Sequence, residues 1–388
     1  MEDLLPDDLM CNVLSRLPVK TIIRYKCVCK KWRDLVSDSY FVNLHLSRSR
    51  EALMIFNYYK PFRPGNLLWV EIGHKALVQV KRLVLTEYCA HVSCYWRSQV
   101  GSVNGLICSA YKCGRGFLIY NPVLEECMHV PSPPKEYETS SYGLGVSRAG
   151  EYKLIHIFRR KISLDSDELY AVEIEVYTLG TDKWRILGQT PFRLKSIEGE
   201  VDNGIFMNSH VYWIIHDQIY DFDLNTETFE LFPSPPGDSR ASMKMLGVLK
   251  GRLSGVSWCS LGLEVWVMKE TSWYKERTIK ENISHLLDHN SRPLCLIDGI
   301  DGTSILLVSH EDELMAHCLD TNKTLPLNMM CFDRYRLVTT YRPSFVKLDN
   351  FGSESVLADI YEDRVWKNSS LLFLLVHINF PANFYDYQ

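Results

Sequence analysis

Two groups of side chains have the types and spacing that enzymes use. Asp221 and Asp223 alternate along a predicted strand, so both could face the same way, as in the carboxylate pair of a glycosidase. His285 and His289 are four residues apart, a spacing that places two imidazoles on one helical face, where they could bind a metal. Hydrolysis and metal binding are therefore the chemistries that these residues would support.

Neither group carries a complete signature. Asp223 lies in a polar stretch between two predicted strands, and because Asp is a common turn former we predict a turn role for it. The His pair has no nearby third ligand and does not form an HExxH pattern. We predict no catalytic residue, no metal and no cofactor.

Other catalytic motifs are missing from the sequence as well. No GxxxxGK[ST] loop, no GxGxxG before a helix and no GxSxG elbow is present. The 12 cysteines are scattered without CxxC spacing, so none is marked as a nucleophile or zinc ligand. The sequence therefore predicts a binding protein and not an enzyme.

Charge and hydropathy narrow the kind of partner. The first 50 residues hold nine Lys/Arg and six Asp/Glu, a net of +3, whereas the whole chain of 388 residues is −4. A mildly acidic body disfavours nucleic-acid binding, and the apolar run 371–380 is too short for a membrane helix. Acidic residues among the first seventeen argue against a secretory signal, so we expect the cytoplasm, the nucleus or both.

The first 46 residues have the pattern of a small helical domain. Apolar residues recur at three- and four-residue steps from Leu5 to Leu17, Pro18 interrupts the pattern, and a second pattern opens at Val19. We predict two or three short helices. A bundle of this size buries little surface by itself, so a remaining apolar face implies a partner.

The segment LPDDLMCNVLSRLPVKTIIRYKCVCKKWRDLV, from Leu5 to Val36, resembles the F-box of plant F-box proteins. That family docks a Skp-type adaptor, and through it the cullin and RING subunits of a ubiquitin ligase. The alternative is that the same residues only hold the bundle together. The resemblance implies docking by Leu5, Pro6, Leu9, Leu14, Leu17, Pro18 and Val28, with Trp32, Leu35 and Val36 in the domain core.

Residues 47–350 are dominated by short β-rich runs between turn formers, which predicts an all-β domain. A large residue recurs there with a partner seven positions later, at successive intervals of 57, 45, 44 and 51 residues. The interval is near the ~50 residues of a kelch blade, which predicts a kelch-like β-propeller of about six or seven blades. The pairs are Tyr120 with Cys127, Tyr177 with Trp184, Phe222 with Phe229, Trp266 with Trp273, and His317 with Thr324.

The same region resembles the F-box-associated domain of a large plant family that includes the S-locus F-box proteins. Blocks that carry the resemblance include GSVNGLIC at 101–108, LIYNPVLEE at 118–126 and EVYTLGTDKWR at 175–185. The family pattern usually ends after RPSFVKL at 342–348, so residues 351–388 are either a closing blade or an extension. Two PSPP clusters, at 131–134 and 233–236, are interpreted as rigid loops, with an SH3-type ligand as the alternative.

Together the two resemblances imply the substrate-recognition subunit of an SCF-type ubiquitin ligase. Its F-box would hold the adaptor while the β domain captures a target protein. The alternative from another class is a stand-alone propeller that binds a glycan or acts as a glycosidase-like enzyme, with the helices as a cap.

Overall fold

The computed structural model describes residues 6–57, 66–72, 79–83, 96–111, 116–133, 140–161, 170–189, 202–215, 217–236, 242–280, 291–310, 313–330 and 337–351. Leu5, His285, His289 and the tail from residue 352 onward lie outside these ranges. Within them the chain forms an N-terminal group of helices and then β-strands alone, apart from a short 3-10 turn at Asp349–Phe351.

The helical unit has four helices, one more than the sequence predicts at most. They are α1 (Asp7–Leu14), α2 (Val19–Tyr25), α3 (Lys30–Ser37) and α4 (Ser39–Arg48). Pro6 and Pro18 stand immediately before α1 and α2 in extended conformation, where their missing N–H costs nothing. Asp38 begins α4, because its side chain accepts a hydrogen bond from Tyr40 N at 2.8 Å.

The described residues form six antiparallel sheets of four strands, which are the six blades of a propeller. This number lies within the predicted six or seven. The strands are β1 (Ala52–Asn57), β2 (Asn66–Glu71), β3 (Gln79–Leu83), β4 (Trp96–Val103), β5 (Leu106–Tyr111), β6 (Phe117–Asn121), β7 (Glu126–Val130), β8 (Ser140–Val146), β9 (Tyr152–Lys161), β10 (Tyr170–Thr178), β11 (Trp184–Gln189), β12 (Ile205–Met207), β13 (His210–Ile215), β14 (Gln218–Asp223), β15 (Thr228–Phe232), β16 (Ser242–Leu249), β17 (Arg252–Cys259), β18 (Gly262–Lys269), β19 (Ser272–Lys280), β20 (Arg292–Asp298), β21 (Ser304–His310), β22 (Glu313–Cys318), β23 (Lys323–Met330) and β24 (Leu337–Tyr341).

The ring is closed by the last described strand. β24 pairs with β1 in register from Ala52↔Tyr341 to Phe56↔Leu337, so the first blade has the order β24-β1-β2-β3. The other blades run in chain order, from β4-β5-β6-β7 to β20-β21-β22-β23. The first strand of each sheet contacts the first strand of the next sheet around the ring, which identifies these as the inner strands.

The predicted seven-residue spacing corresponds to directly opposed residues in four of the five hairpins. Tyr120↔Cys127, Tyr177↔Trp184, Phe222↔Phe229 and His317↔Thr324 are cross-strand partners. The pairing of Trp266 with Trp273 is wrong. The hairpin has a two-residue turn, 270–271, in place of the four-residue turn, so Trp266 faces Lys275 and Trp273 faces Met268.

The four matching hairpins share one backbone feature. The residue five positions after the first member of each pair has a positive φ, between 57° and 58°, at Glu125, Asp182, Glu227 and Asn322. A left-handed residue at this place returns the chain into the second strand, which keeps the same four-residue turn in four blades. A common turn conformation therefore explains why one spacing recurs along the chain.

Turns of neighbouring blades bond one another at one end of the propeller. Arg148 N donates to Asn225 Oδ1 at 2.8 Å, and Ile300 N donates to Ile72 O at 2.9 Å. These turns join the first to the second strand or the third to the fourth strand of a blade. We call this the near end, and the opposite end, where blades are linked to one another, the far end.

The helical unit packs on the near end. Its core, which contains Ile22 and Phe41, continues into Val123 of the β6–β7 turn and into Phe345, just after the closing strand. Only three residues separate the end of α4 from β1. The buried His45 ring on α4 meets the Phe345 ring edge-on, with centroids 4.9 Å apart.

The PSPP clusters tie neighbouring blades together. Trp184 Nε1 donates to Pro131 O at 2.9 Å, and Trp273 Nε1 donates to Pro233 O at 2.7 Å. In each case the indole lies on the outer strand of one blade and the proline follows the outer strand of the preceding blade. This supports the rigid-loop interpretation for the described prolines.

We expect His45 to make the stability of the chain depend on pH. Burial lowers its pKa to about 4, below the value of about 6.5 in an unfolded chain. The unfolded state binds more protons between these values, so the free energy of unfolding should fall as pH drops from about 6.5 to about 4, by at most roughly 3 kcal/mol. Urea unfolding of the wild type and of His45→Leu at several pH values in this range measures the effect. Equal slopes of the free energy of unfolding against pH in the two chains would contradict the prediction.

Candidate adaptor-docking surface

Large apolar side chains are exposed on the helical unit. Leu9, Val13 and Val28 are 50%, 56% and 63% exposed, and Tyr40 is similarly exposed. In the rest of the described chain the large apolar side chains with comparable exposure are Ile186, Leu231, Leu261 and Tyr274. The helical unit, although much smaller than the propeller, thus carries as many such side chains.

Helix α1 is apolar on two sides. Cys11 and Leu14 are buried in the core of the unit, whereas Leu9 and Val13, four residues apart, lie on the outward side. A helix exposes an apolar stripe to water at a cost, and such a stripe usually marks a contact surface. We define the docking surface as Pro6, Leu9, Val13 and Val28.

The structure separates the predicted docking residues into groups. Pro6, Leu9, Pro18 and Val28 are exposed, and Leu17 is half-buried against the core. Leu14 is only 3% exposed. It therefore packs in the core beneath the docking surface and is not accessible to a partner, contrary to what the resemblance implied.

Val13 was not among the predicted docking residues, although it is as exposed as Leu9. Its signal is the four-residue step from Leu9, which periodicity alone assigns to the same helix without saying which face is buried. Exposure, which depends on how the four helices pack, distinguishes the two faces.

The predicted core residues brace α2 against α3. Trp32 is half-buried and meets Tyr25 edge-on, with ring centroids 5.0 Å apart. Val36 is buried and Leu35 packs against the same cluster. The turn that carries Val28 is therefore held on both sides by packed helices.

Charged residues flank the docking surface. An open groove of about 670 Å³ contains the ion pair Asp7–Lys31, with 3.1 Å between Oδ1 and Nζ. Exposed pairs of this kind contribute little stability and instead help to select a partner. Burial raises the pKa of the Cys11 thiol, which lines the same groove, so the thiol stays protonated and unreactive.

The predicted repeat-core residues are in the propeller interior. The aromatic rings pack within and between blades, consistent with the exclusion of water from each hairpin. Tyr120, Tyr177, Phe222, Phe229, Trp266 and Trp273 are buried, and Trp184 is half-buried.

The two carboxylates suggested by the sequence have different partners. Asp223 Oδ1 accepts from Asn225 N at 2.7 Å, the turn role predicted for it, and Asn121 Oδ1 accepts from Val123 N in the equivalent turn. Asp221 Oδ1 instead lies 2.9 Å from Nδ1 of His210. Burial raises the pKa of Asp221, and His210 opposes that shift.

A second His–carboxylate pair lies inside the third blade. His156 Nδ1 is 2.7 Å from Glu175 Oε1, and these side chains are 2% and 1% exposed. The Tyr142 ring stacks on His156 with centroids 4.7 Å apart. Burial lowers the pKa of His156, and Glu175 opposes that shift.

Metal and membrane sites were searched for in the described ranges. No group of three or more His, Cys, Asp or Glu side chains there is placed to hold a metal ion. No helix among those residues has the length and apolar character that crossing a membrane requires.

Comparison with known proteins matches both parts of the molecule. The F-box associated beta propeller domain family matches residues 50–348, and the F-box domain family matches residues 3–44. The chain belongs to the F-box-associated β-propeller family. Its helical unit is an F-box, the module that binds Skp-type adaptors, and this family is one of adaptor subunits.

Relatives of this F-box protein occur in Arabidopsis thaliana. An F-box/kelch-repeat protein is 26% identical over 318 residues, covering 76% of this chain and 84% of the relative. An F-box protein is 26% identical over 336 residues, covering 78% and 79%. A putative F-box/kelch-repeat protein is 23% identical over 377 residues, covering 89% and 99%.

Solved structures show only distant likeness. A chain of a nidogen/laminin complex has a TM-score of 0.45 and 8% identity, and covers 75% of this chain and 98% of its own. The β-propeller domain of the Trilobed protease from Pyrococcus furiosus has a TM-score of 0.40 and 9% identity, with coverage of 73% and 82%. These scores support no argument about function.

Replacing leucines on the two faces of α1 should separate support from docking. We expect Leu14→Ala to lower the free energy of unfolding by about 2–5 kcal/mol because it leaves a cavity, and Leu9→Ala to change it by less than about 0.5 kcal/mol. Urea denaturation of the chain without a partner checks this. Equal destabilisation by both substitutions would show that Leu9 is also part of the core.

Proposed function

We propose that this F-box protein is a substrate receptor of an SCF-type ubiquitin ligase. The observation that carries the proposal is the exposed apolar stripe of α1, on an F-box that is itself packed against a closed propeller. The F-box would bind a Skp-type adaptor, and through it the cullin and RING subunits. The propeller would capture a target protein for ubiquitination in the cytoplasm or nucleus.

Burial of the docking surface supplies a driving force for adaptor binding. Fully burying an exposed side chain of this type contributes about 1.5–3 kcal/mol, so burying the exposed half of Leu9 or Val13 contributes about half as much. Val28 on the α2–α3 turn is a further exposed apolar side chain of the F-box. The charged groups around the groove, including Lys30 and Asp34, would form the polar rim that such interfaces usually have.

We place target capture at the far end of the propeller. The near end carries the F-box, and its turns are short, such as residues 104–105 and 250–251. At the far end, where one blade is linked to the next, more sequence separates consecutive described strands, with 12 residues between Leu83 and Trp96 and 11 between Lys280 and Arg292. Connections on a rigid scaffold are the usual place for recognition.

A receptor of this kind acts by proximity. It raises the effective concentration of the target near the ubiquitin-charged enzyme, so none of its own side chains has to donate a proton or attack a carbonyl. The buried His156–Glu175 pair and the turn role of Asp223 are consistent with this, because neither is offered to a substrate.

Charge on the docking surface should abolish adaptor binding. We expect the double variant Leu9→Glu, Val13→Glu to bind a purified Skp-type adaptor at least about 100-fold more weakly, because both glutamates would lose water in the interface. Calorimetric titration measures the affinity. Leu231→Glu, at an equally exposed site on the propeller, is the control and should bind normally.

If the double variant binds the adaptor as tightly as the wild type does, the adaptor docks elsewhere on the chain. A wild-type chain that fails to bind any Skp-type adaptor would contradict the receptor and favour a stand-alone propeller with a helical cap.

Insertions at the two ends of one strand test the place of target capture. β17 is bounded by two two-residue turns, 250–251 at the near end and 260–261 at the far end. We expect a small folded domain inserted at 260–261 to reduce the recovery of proteins that accumulate when degradation is blocked. The same insertion at 250–251 should not, and both variants should bind adaptor. Equal loss from both insertions would contradict capture at the far end.

A further inference from the structure

The chain segment that follows the closing strand lies between the F-box and the propeller. β24 ends at Tyr341, and residues 342–348 then cross the near end of the second blade, with the propeller on one side and α4 on the other. We name residues 342–348 the strap.

On the propeller side the strap is held by a buried amide. Asn121 Nδ2 donates to Ser344 O at 3.1 Å and to Val346 O at 2.8 Å, while its Oδ1 holds the β6–β7 turn. Asn121 and Ser344 are fully buried. A buried amide that loses its partners carries the whole cost of desolvation, so these bonds specify one path for the strap.

Two further contacts bring the strap against the turns of the second blade. Ser344 Oγ donates to Asn104 O at 2.5 Å, and Leu348 N donates to Glu126 Oε2 at 2.7 Å. Gly105 has a φ of +80°, and a Cβ there would fall 2.8 Å from Ser344 N. The approach is thus close enough to require glycine in the facing turn.

On the F-box side the strap presents Phe345. Phe345 packs in the core of the F-box, whereas the hydroxyl of the preceding Ser344 bonds the propeller. The buried Phe345 ring lies 6.0 Å from the Phe41 ring between centroids. Just after α4, Ser49 Oγ donates to Pro343 O at 2.9 Å.

The covalent link between the two domains adds a second restraint. Residues 49–51 alone join α4 to β1, and they are bonded at both ends of the link. Arg50 Nη1 donates to Ile300 O at 3.2 Å, and Glu51 Oε1 lies 3.5 Å from Arg342 Nε. The F-box therefore meets the propeller through a short link and the strap together.

We propose that Phe345 and Asn121 are positioning residues of the ligase, which hold the docking surface and the far end of the propeller in one fixed relative orientation. This rests on the proposed receptor function. Ubiquitin transfer by proximity depends on where acceptor lysines lie relative to the charged enzyme, so a fixed orientation selects which lysines are modified. Loosening the strap leaves adaptor binding intact and removes that selection.

The test uses the full chain with a Skp-type adaptor, cullin, RING subunit and ubiquitin, and the chain's own lysines as acceptors. Mass spectrometry maps the conjugated lysines in wild type, Phe345→Ala and Phe345→Leu. Phe351→Ala is the matched control, because Phe351 follows the strap and packs on Tyr152 of the propeller, with centroids 5.3 Å apart.

We expect Phe345→Ala to exchange the backbone amides of α4 about tenfold faster than wild type. Its adaptor affinity should stay within about twofold of wild type, while conjugation at the preferred lysines slows by about tenfold and spreads to further lysines. Phe345→Leu should lie between the two, and Phe351→Ala should match the wild type.

An unchanged lysine pattern and rate in a variant with faster α4 exchange would overturn the inference, as would unchanged α4 exchange. If Phe345→Ala no longer unfolds cooperatively, Phe345→Leu and Ser49→Ala decide by the same criteria. Adaptor binding by the wild type is measured first. A wild type that does not bind the adaptor would overturn the proposed function itself, which distinguishes that outcome from one that overturns only the role of the strap.

Discussion

The architecture depends on the pairing of β24 with β1. Residues Leu337–Tyr341 form the inner strand of a blade whose other strands come from residues 52–83, so the ring closes only when the two ends of the β domain meet. Tyr341 is buried there, with its ring edge-on to Trp69 at 5.6 Å between centroids. Because an inner strand runs from the far end to the near end, closure also delivers the strap to the place where the F-box sits. The support of the docking surface is thus a consequence of closing the ring.

Closure is possible because neighbouring blades interlock through both polar and apolar contacts. Lys153 reaches from the third blade to Leu224 O and Glu227 Oε1 of the fourth, both at 2.9 Å, and Glu151 Oε2 of its own blade lies 3.2 Å away, so its buried ammonium has three partners. A hydrogen bond from Arg185 is the main cause that lowers the pKa of Glu227, which keeps the carboxylate charged beside both cations. In the same seam a Cβ at Gly143 would lie 2.5 Å from the Trp213 indole, so a small inner-strand residue makes room for a large one. Interlocking of this kind fixes the angle between blades, and with it the position of every near-end turn.

The sequence predicted the features that depend on local chain geometry. The spacing of Tyr120 and Cys127 marks true partners because a four-residue turn with one left-handed residue sets the register of its own hairpin. The spacing fails at Trp266, where a two-residue turn at 270–271 sets a different register. Helix α4 was missed because its buried side includes His45, so it has no purely apolar stripe. Leu14 could not be told from Leu9 because α1 is apolar on both sides. The strap was not predicted, since Asn121 and Ser344 are 223 residues apart and meet only after the ring has closed.

Several buried ionisable groups of the propeller stabilise its fold. His156 and Glu175 are paired inside a blade, and Lys153 contacts the neighbouring blade. Such buried pairs are costly to break, and breaking them would disturb the angle between blades before it affected any surface. The exposed apolar side chains of the F-box have the opposite character, because we expect their removal to cost the free chain little stability. The residues that stabilise the fold are therefore different from those that we propose to contact the adaptor. The strap joins the two parts, since its Phe345 belongs to the F-box core and Asn121 of the propeller holds the strap in place.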